Sequence, residues 1–414
     1  MSRATLILLC LAAGLLAGVG VATLSPQAAG WGIGVAGPVG TLWLNGLQMT
    51  VIPLVVTLLI TGVATTAEAA QAGRIAGRAI VTFLGLVTLT ATMAALVTPV
   101  LLHLVPIPRG AAAALKTALG HAAPVGPTPP ISEFLTGIVP TNIFAAATNN
   151  ALLSLILFTL AFAFAMTRIE GSGRAQLLGF FTAIRDAMLV LIGWVLWLAP
   201  LGVFALAFVV GASAGSAAFG ALLHYIATIA SIGVIVMLMA YAVAAIAGRV
   251  PLPRFARALA PAQAVAISTQ SSLASLPAMV EGTKTLRIAP ATSSLVLPMA
   301  VAMFRGTQPA MNVAVALYIA DWFGIVPGPA AVAAAVVAAI LVSLGSASLP
   351  SQITFFASIA PVCVALGVPA APLGLLIAVE TIPDIFRTLG NVSMDLAATA
   401  TVSRWSGTID EERP

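Results

Sequence analysis

Residues 267–280 read ISTQSSLASLPAMV, and residues 343–356 read SLGSASLPSQITFF. Both contain Ala-Ser-Leu-Pro, as Ala274–Pro277 and as Ala347–Pro350, and both lie in long apolar surroundings. A break in mid-membrane leaves backbone N–H and C=O groups that hydrocarbon cannot satisfy, so it is tolerated only beside protein or a water-filled cavity. One such cluster reads as a kink or a packing notch. Two alike, over about 255–283 and 331–366, are each followed by a further apolar stretch, about 290–326 and 370–400. That pattern reads as two re-entrant helical hairpins in an internal repeat, gathered around a midplane site. Their tips offer free backbone groups and serine hydroxyls, suited to small polar or anionic solutes. The two tips are expected to be the jaws of one site.

Composition names the solvent. Hydrophobic residues make up 60% of the 414 and charged residues 7%, with a mean hydropathy of +1.11. A soluble domain carries about a quarter charged residues. The chain therefore reads as an all-α polytopic membrane protein, with apolar runs of roughly 20 residues recurring from end to end. Spans are expected near 4–24, 40–66, 76–104, 131–168, 176–211 and 218–248. With the two stretches above, these make eight transmembrane helices plus two re-entrant hairpins. The N-terminal stretch resembles a signal peptide, but its apolar run is long and QAAG is a poor cleavage signal, so a retained first helix is expected. Cys10 and Cys363 are the two cysteines, both in apolar surroundings, and read as packed thiols rather than a disulfide or metal site.

Positive charge sets the orientation. Of the 17 basic residues, Arg3, Arg74, Arg78, Arg168, Arg174, Arg185, Arg249, Arg254, Arg257, Lys284, Arg287, Arg404 and Arg413 fall in loops or tails assigned to one side. Arg109 and Lys116 lie in the long Ala/Gly/Pro-rich loop on the other. The positive-inside rule then puts both termini in the cytoplasm, with the chain in the inner (plasma) membrane. The high pI reflects this bias, so membrane lipid and not nucleic acid is the expected surrounding. Arg305 and Arg387 remain, both inside apolar stretches.

Arg387 belongs to PDIFRTLGNVSMDLAATATV, residues 383–402. Asp384, Arg387, Thr388 and Asn391 stand at i, i+3, i+4 and i+7, so they share one helical stripe, which Asp395 continues. Ionisable groups inside a span normally face a bundle interior or cavity and mark function. An Asp384–Arg387 ion pair serving packing alone is the plainer reading, but Thr388 and Asn391 extend the stripe beyond it.

These blocks, in this order, resemble the dicarboxylate/amino acid:cation symporter family, the glutamate and aspartate transporters. QMTVIPLVVTLLITGVAT (48–65) is similar to that family's second helix, GIVPTNIFAAATNNALLSLILF (137–158) to its fourth, and LAPLGVFALA (198–207) to its fifth. ISTQSSLASLP and SLGSASLP stand at the two hairpin tips, and the last helix follows D-x-x-R-T-x-x-N-x-x-x-D. The resemblance implies a homotrimer with inverted repeats and an elevator movement. Residues 1–75 (helices one and two) and 131–215 (four and five) would form the scaffold. Residues 76–110 (helix three) and 216–403 (helix six, first hairpin, helix seven, second hairpin, helix eight) would form the transport domain, with 404–414 a cytoplasmic tail. It also implies that Asp384 holds a substrate α-ammonium and Arg387 a side-chain carboxylate. Asn391 would take the α-carboxylate with Ser271, Ser272 and the tip at Ser348, and Thr307 and Thr388 would add hydroxyls.

The chain departs from the pattern where the family binds sodium. Its seventh span carries N-M-D-G-T; here Met303-Phe304-Arg305-Gly306-Thr307 stands there. Helix three should supply a tyrosine, a threonine and a serine, and Phe83, Leu86 and Val87 align with them. Sodium needs hard oxygen ligands, which thioether, phenyl and methyl groups do not provide. No metal or cofactor is expected. Arg305 is expected to act as a built-in cation, pairing with Asp395 or with carbonyls of an unwound helix. The alternative is proton coupling with Glu380 as carrier. The second tip has also lost the family's glycines, over Ser348–Ile353. His224, Asp321 and Glu281 read as structural groups near span ends.

The leading functional reading is a secondary transporter of an acidic amino acid, independent of sodium. A C4-dicarboxylate transporter is the near alternative, and an anion channel lined by Arg305 and Arg387 the remote one. No H-E-x-x-H and no serine–histidine pairing points to an enzyme.

Overall fold

Proline and serine set the joints of this chain. Pro26, Pro200, Pro253, Pro290 and Pro309 each stand in the first two positions of a helix. The first turn has no use for the N–H that proline lacks, whereas in a helix interior proline removes one hydrogen bond and crowds the preceding turn. The computed structural model describes residues 3–71, 73–107, 139, 141–148, 152–169, 171–215, 217–345 and 351–408. Among these residues the regular structure is helical throughout. In order the helices are α1 (Arg3–Leu24), α2 (Pro26–Gln48), α3 (Val51–Gln71), α4 (Arg74–Leu104), α5 (Ile143–Thr148) and α6 (Leu152–Met166). Then come α7 (Ser172–Trp197), α8 (Ala199–Ala214), α9 (Ala217–Ile246), α10 (Leu252–Thr269), α11 (Ser272–Thr285) and α12 (Pro290–Met303). The last are α13 (Gln308–Phe323), α14 (Pro329–Gly345), α15 (Ser351–Leu366), α16 (Leu373–Leu376) and α17 (Thr381–Ser406).

Among the described residues five stretches are long and apolar enough to cross a bilayer: Leu6–Leu24, Pro26–Ala64, Arg74–Leu104, Ser172–Trp197 and Phe219–Ile246. This is a multi-pass membrane protein. The boundaries differ from the sequence reading in instructive ways. The span expected at 40–66 begins at Pro26, because Ser25 caps α2 by accepting from the Ala28 N–H at 3.3 Å. The span expected at 176–211 is interrupted at Leu198, two residues before Pro200. Most of the external loop, much of the fourth expected span and the end of the tail lie outside the described residues.

Both hairpins form. α10 folds back onto α11 through Gln270 and Ser271, and α14 packs against α15. Their arms have 18, 14, 17 and 16 residues. At 1.5 Å per residue the two arms of the first hairpin fall short of the roughly 30 Å of hydrocarbon. The first turn does not lie on Ala-Ser-Leu-Pro itself, which sits inside α11. It lies at Gln270, in the left-handed region (φ 51°), followed by Ser271, whose side chain caps α11 by accepting from the Ala274 N–H at 3.2 Å. The second tip, with Ser348, lies outside the described residues.

Glycine sets how closely the arms of the first hairpin approach. A Cβ on Gly282 would stand 2.5 Å from the carbonyl oxygen of Ala258 across the pair. Gly282→Val should therefore prise the arms apart and cost about 1–3 kcal/mol, the usual range for overpacking. Purified variant protein melting several degrees below wild type in detergent is the expected result.

The least greasy long helix is the innermost. α17 packs against α4, α9, α10, α11 and α12, and every residue from Asn391 to Ala400 is buried. The greasier helices face outward, exposing Leu16 (63%), Leu96 (68%), Trp194 (67%) and Leu223 (67%). In lipid the solvent is apolar, so polar side chains have their partners inside the bundle.

Candidate functional site

The helix that follows the first hairpin is broken in its middle. α12 ends at Met303 and α13 begins at Gln308, with Phe304 in an extended conformation. Pro309 has no N–H to give the Arg305 carbonyl, so the helical hydrogen bond across the joint is lost. The backbone groups freed by the break find partners on two other helices. Thr90 of α4 donates its hydroxyl to the Gly306 carbonyl at 2.7 Å, and the Thr307 N–H donates to Asn391 Oδ1 of α17 at 2.9 Å. The close approach depends on Gly390, where a Cβ would stand 2.3 Å from Thr307 Oγ1.

The stretch after the second hairpin is broken in the corresponding place, between α16 and α17. Here, among the described residues, lies a buried cluster of charge. Arg387 donates from Nη1 to Asp384 Oδ1 at 2.9 Å, and its Nη2 is hydrogen-bonded to Glu380 Oε1. Glu380 accepts a second hydrogen bond, on Oε2, from the Tyr225 hydroxyl of α9 at 3.1 Å. Thr388 Oγ1 donates to the Asp384 carbonyl at 2.9 Å. All these side chains are buried. Tyr225 in turn lies edge-on to Tyr318 of α13, ring centres 5.3 Å apart. The Tyr318 hydroxyl donates to the Ala221 carbonyl at 3.1 Å and sits 3.1 Å from His224 Nδ1, whose Nε2 lies 2.7 Å from the Val105 carbonyl. His224 thus ties α9 to α13 and to the end of α4. Glu281 and Lys284 form an exposed pair at 2.6 Å.

The structure brings most of the expected residues to one region of α17. Asp384, Arg387 and Thr388 form one knot with Glu380, and Asn391 meets Thr307 one turn further on. Ser271 and Ser272 sit at the first hairpin tip, half-buried, with the Ser271 hydroxyl engaged as a helix cap. Arg305 lies in the break, within electrostatic reach of Asp384, Arg387 and Asp395. Among the described residues neither carboxylate oxygen of Asp395 accepts a hydrogen bond, and Arg305 acts on it electrostatically. Thr307 Oγ1 and Arg387 Nε are also buried without a hydrogen-bond partner among the described residues. These donors stand ready for an acceptor.

Around the break, side chains that could be oxygen donors are hydrocarbon instead. Phe83 of α4 stacks on Phe304, ring centres 4.7 Å apart and 10° from parallel, and Leu86 and Val87 are buried beside Phe83 on the same helix. Asn391 has its oxygen engaged by the Thr307 N–H. Among the described residues no three His, Cys, Asp or Glu side chains come together to hold a metal ion. Tyr225 and Thr90 were not legible as site residues in advance. For Tyr225 the signal was rarity, since the chain has only 3 tyrosines and this one interrupts a greasy helix.

Comparison with known proteins agrees with this geometry. A family model described as the sodium:dicarboxylate symporter family matches residues 4–405. The chain is 28% identical over 380 residues to the proton/sodium-glutamate symport protein of Bacillus subtilis, covering 89% of this chain and 86% of that one. It is 26% identical over 375 residues to the C4-dicarboxylate transport protein of Rhizobium etli, covering 90% and 84%. To the proton/glutamate-aspartate symporter of Escherichia coli it is 24% identical over 389 residues, covering 92% and 87%. With a match that runs nearly end to end, two hairpins and a buried Asp–Arg–Thr–Asn stripe, this chain belongs to the sodium:dicarboxylate symporter family, whose members are transporters and not enzymes.

Proposed function

We propose that this protein moves a small acidic amino acid, aspartate or glutamate, across the membrane without using sodium. The observation that carries the reading is the buried knot of Asp384, Arg387 and Thr388 beside Asn391 and the unpartnered Thr307 hydroxyl. A guanidinium binds a carboxylate through paired N–H donors, and in a dry site that contact dominates recognition. Arg387 takes the side-chain carboxylate and Asp384 the α-ammonium. Asn391, its oxygen given to the backbone, meets the α-carboxylate through its NH2 group. Ser271, Ser272 and Ser348 close the site from the two tips.

Sodium is replaced by Arg305. Where the family resemblance calls for ligand oxygens, Phe83, Leu86 and Val87 supply hydrocarbon and Met303 a thioether, and that set does not fit a hard cation. Asp395 still needs a positive charge nearby, because a buried carboxylate without one is strongly unfavourable. Arg305 supplies it permanently. The two hairpins, each followed by a broken helix, support an inverted-repeat transport domain moving as an elevator within a homotrimer.

A second reading, a C4-dicarboxylate substrate, is favoured by one observation: Asp384 is already hydrogen-bonded to Arg387 and so partly satisfied without an ammonium. Uptake of radiolabelled aspartate, glutamate and succinate into proteoliposomes, with sodium, potassium and pH varied independently, tests both. We expect aspartate or glutamate uptake with an affinity that stays flat across sodium at constant ionic strength. A steep sodium dependence would end the tethered-cation reading, and succinate alone would move the substrate to the second reading.

A further inference from the structure

One peptide group in the break between α12 and α13 is held from both ends. Its carbonyl, on Gly306, accepts the Thr90 hydroxyl of α4 at 2.7 Å, and its N–H, on Thr307, donates to Asn391 Oδ1 of α17 at 2.9 Å. The peptide is trans, so these two groups point in opposite directions, and Thr90 and Asn391 stand on opposite sides of it. Thr90 also lies 3.2 Å from the Val87 carbonyl of its own helix, but the contact to Gly306 is the shorter. Thr90 and Thr307 are completely buried and Asn391 nearly so. α4 touches the break a second time. Phe83, seven residues before Thr90 and so on the same face of the helix, stacks on Phe304. α4 is a splint laid along the break.

The anchored N–H decides which way Asn391 faces. A carboxamide has an acceptor end and a donor end. A backbone N–H only donates, so Asn391 gives it the oxygen and keeps its NH2 group for the solute. A half-turn of the amide would put the oxygen there instead, against a carboxylate. That half-turn is resisted by the bond from Thr307 for as long as the peptide stays in place. Turning the peptide over is blocked, because Thr307 is β-branched with φ at −91° and would be driven towards positive φ. Tilting or sliding is not blocked in that way, and it is what the second contact, from Thr90, opposes.

We infer that Thr90 is a positioning residue for solute recognition: by anchoring the Gly306–Thr307 peptide it keeps the NH2 group of Asn391 towards the solute, and so sets a preference for carboxylate over carboxamide at that position. This rests on the reading above that Asn391 receives a carboxylate of the solute. Thr90 acts only through the peptide, with its hydroxyl turned to backbone. The same anchor fixes a second donor, the Thr307 hydroxyl, which is buried without a hydrogen-bond partner among the described residues.

The test measures solute affinity on purified full-length protein, by displacement of radiolabelled L-aspartate, L-glutamate and succinate. Each unlabelled acid is compared with its own amide: the α-amides of aspartate and glutamate, and succinamate for succinate. Thr90→Val keeps the branched shape and removes the hydroxyl. It should weaken binding of the acid about tenfold, the worth of one hydrogen bond, and change that of the amide by less than about threefold. Thr90→Ser returns the hydroxyl and should restore both the affinity and the preference. Should Thr90→Val fail to fold, Thr90→Ala is read in the same way. A packing role for Thr90 would weaken acid and amide alike, and Thr90→Ser, a methyl smaller, would not restore them. That result, or an unchanged acid-to-amide preference in a wild type that binds the acids, overturns the role of Thr90 while the acidic-solute reading stands. If wild type binds none of the three acids, the acidic-solute reading falls and takes this inference with it.

Discussion

Arg387→Cys should abolish binding of acidic solutes, with a loss of a hundredfold or more. Two effects add. The substrate loses the guanidinium that receives its side-chain carboxylate, and Asp384 and Glu380 lose the charge that makes their burial tolerable. Breaking a buried pair by removing one partner costs about 3–5 kcal/mol, a factor of some hundred to several thousand. Because part of that cost falls on the protein, the single variant should also melt lower than wild type. Arg387→Cys combined with Glu380→Gln should recover much of the melting temperature, since one orphaned carboxylate is removed, yet it should not recover acidic solute binding. Small neutral amino acids are the solutes the emptied position would accept. Isothermal titration and thermal melting on the same preparations separate the two effects. Undiminished aspartate, glutamate and succinate binding in Arg387→Cys would reject the assignment of the site.

Arg305→Ala should be nearly as damaging, by a different route. Asp395 is fully buried and, among the described residues, its oxygens accept no hydrogen bond, so the field of Arg305 is what favours a negative charge there. Withdrawing that field leaves a buried charge uncompensated, and a loss of some 3 kcal/mol, about a hundredfold in binding, is expected. The double variant Arg305→Ala with Asp395→Asn removes both charges and should regain most of the loss. Arg305→Lys should fall between, keeping the charge without the planar fork. No recovery in the double variant would show that Arg305 acts on something other than Asp395. Relative to the motif the chain resembles, an aspartate has become an arginine, a change from −1 to +1 at one position. That is the direction expected if bound cations have been exchanged for a tethered one.

The membrane class, the helical content, the two hairpins and the stripe on α17 were all legible in the residue order. Each depends on local chemistry: hydropathy over about twenty residues, proline and serine where a helix must stop, and a spacing of three, four and seven. The details that moved were those in which a cap or a proline competes with hydropathy. Ser25 and Pro26 start a helix inside what read as a loop, and Leu198 and Pro200 interrupt what read as one span. Ala-Ser-Leu-Pro drew the eye to the first hairpin, yet the turn is made by Gln270 and Ser271, because a left-handed residue and an N-cap are what a reversal needs.

Within the site, the division follows from distance along the chain. The sequence by itself determined that Asp384, Arg387, Thr388, Asn391 and Asp395 share one face, since a helix brings such residues together whatever surrounds it. It also determined that oxygen ligands are missing at Phe83, Leu86, Val87 and Met303, since that is a matter of residue type alone. Only the tertiary structure decided that Tyr225, 155 residues away, holds Glu380, and that Asn391 spends its oxygen on the Thr307 N–H. Only it decided that Asp395 accepts no hydrogen bond from Arg305. Those facts depend on how α9, α13 and α17 lie against one another, and packing of separate helices is a property of whole surfaces, with no local spacing rule to announce it.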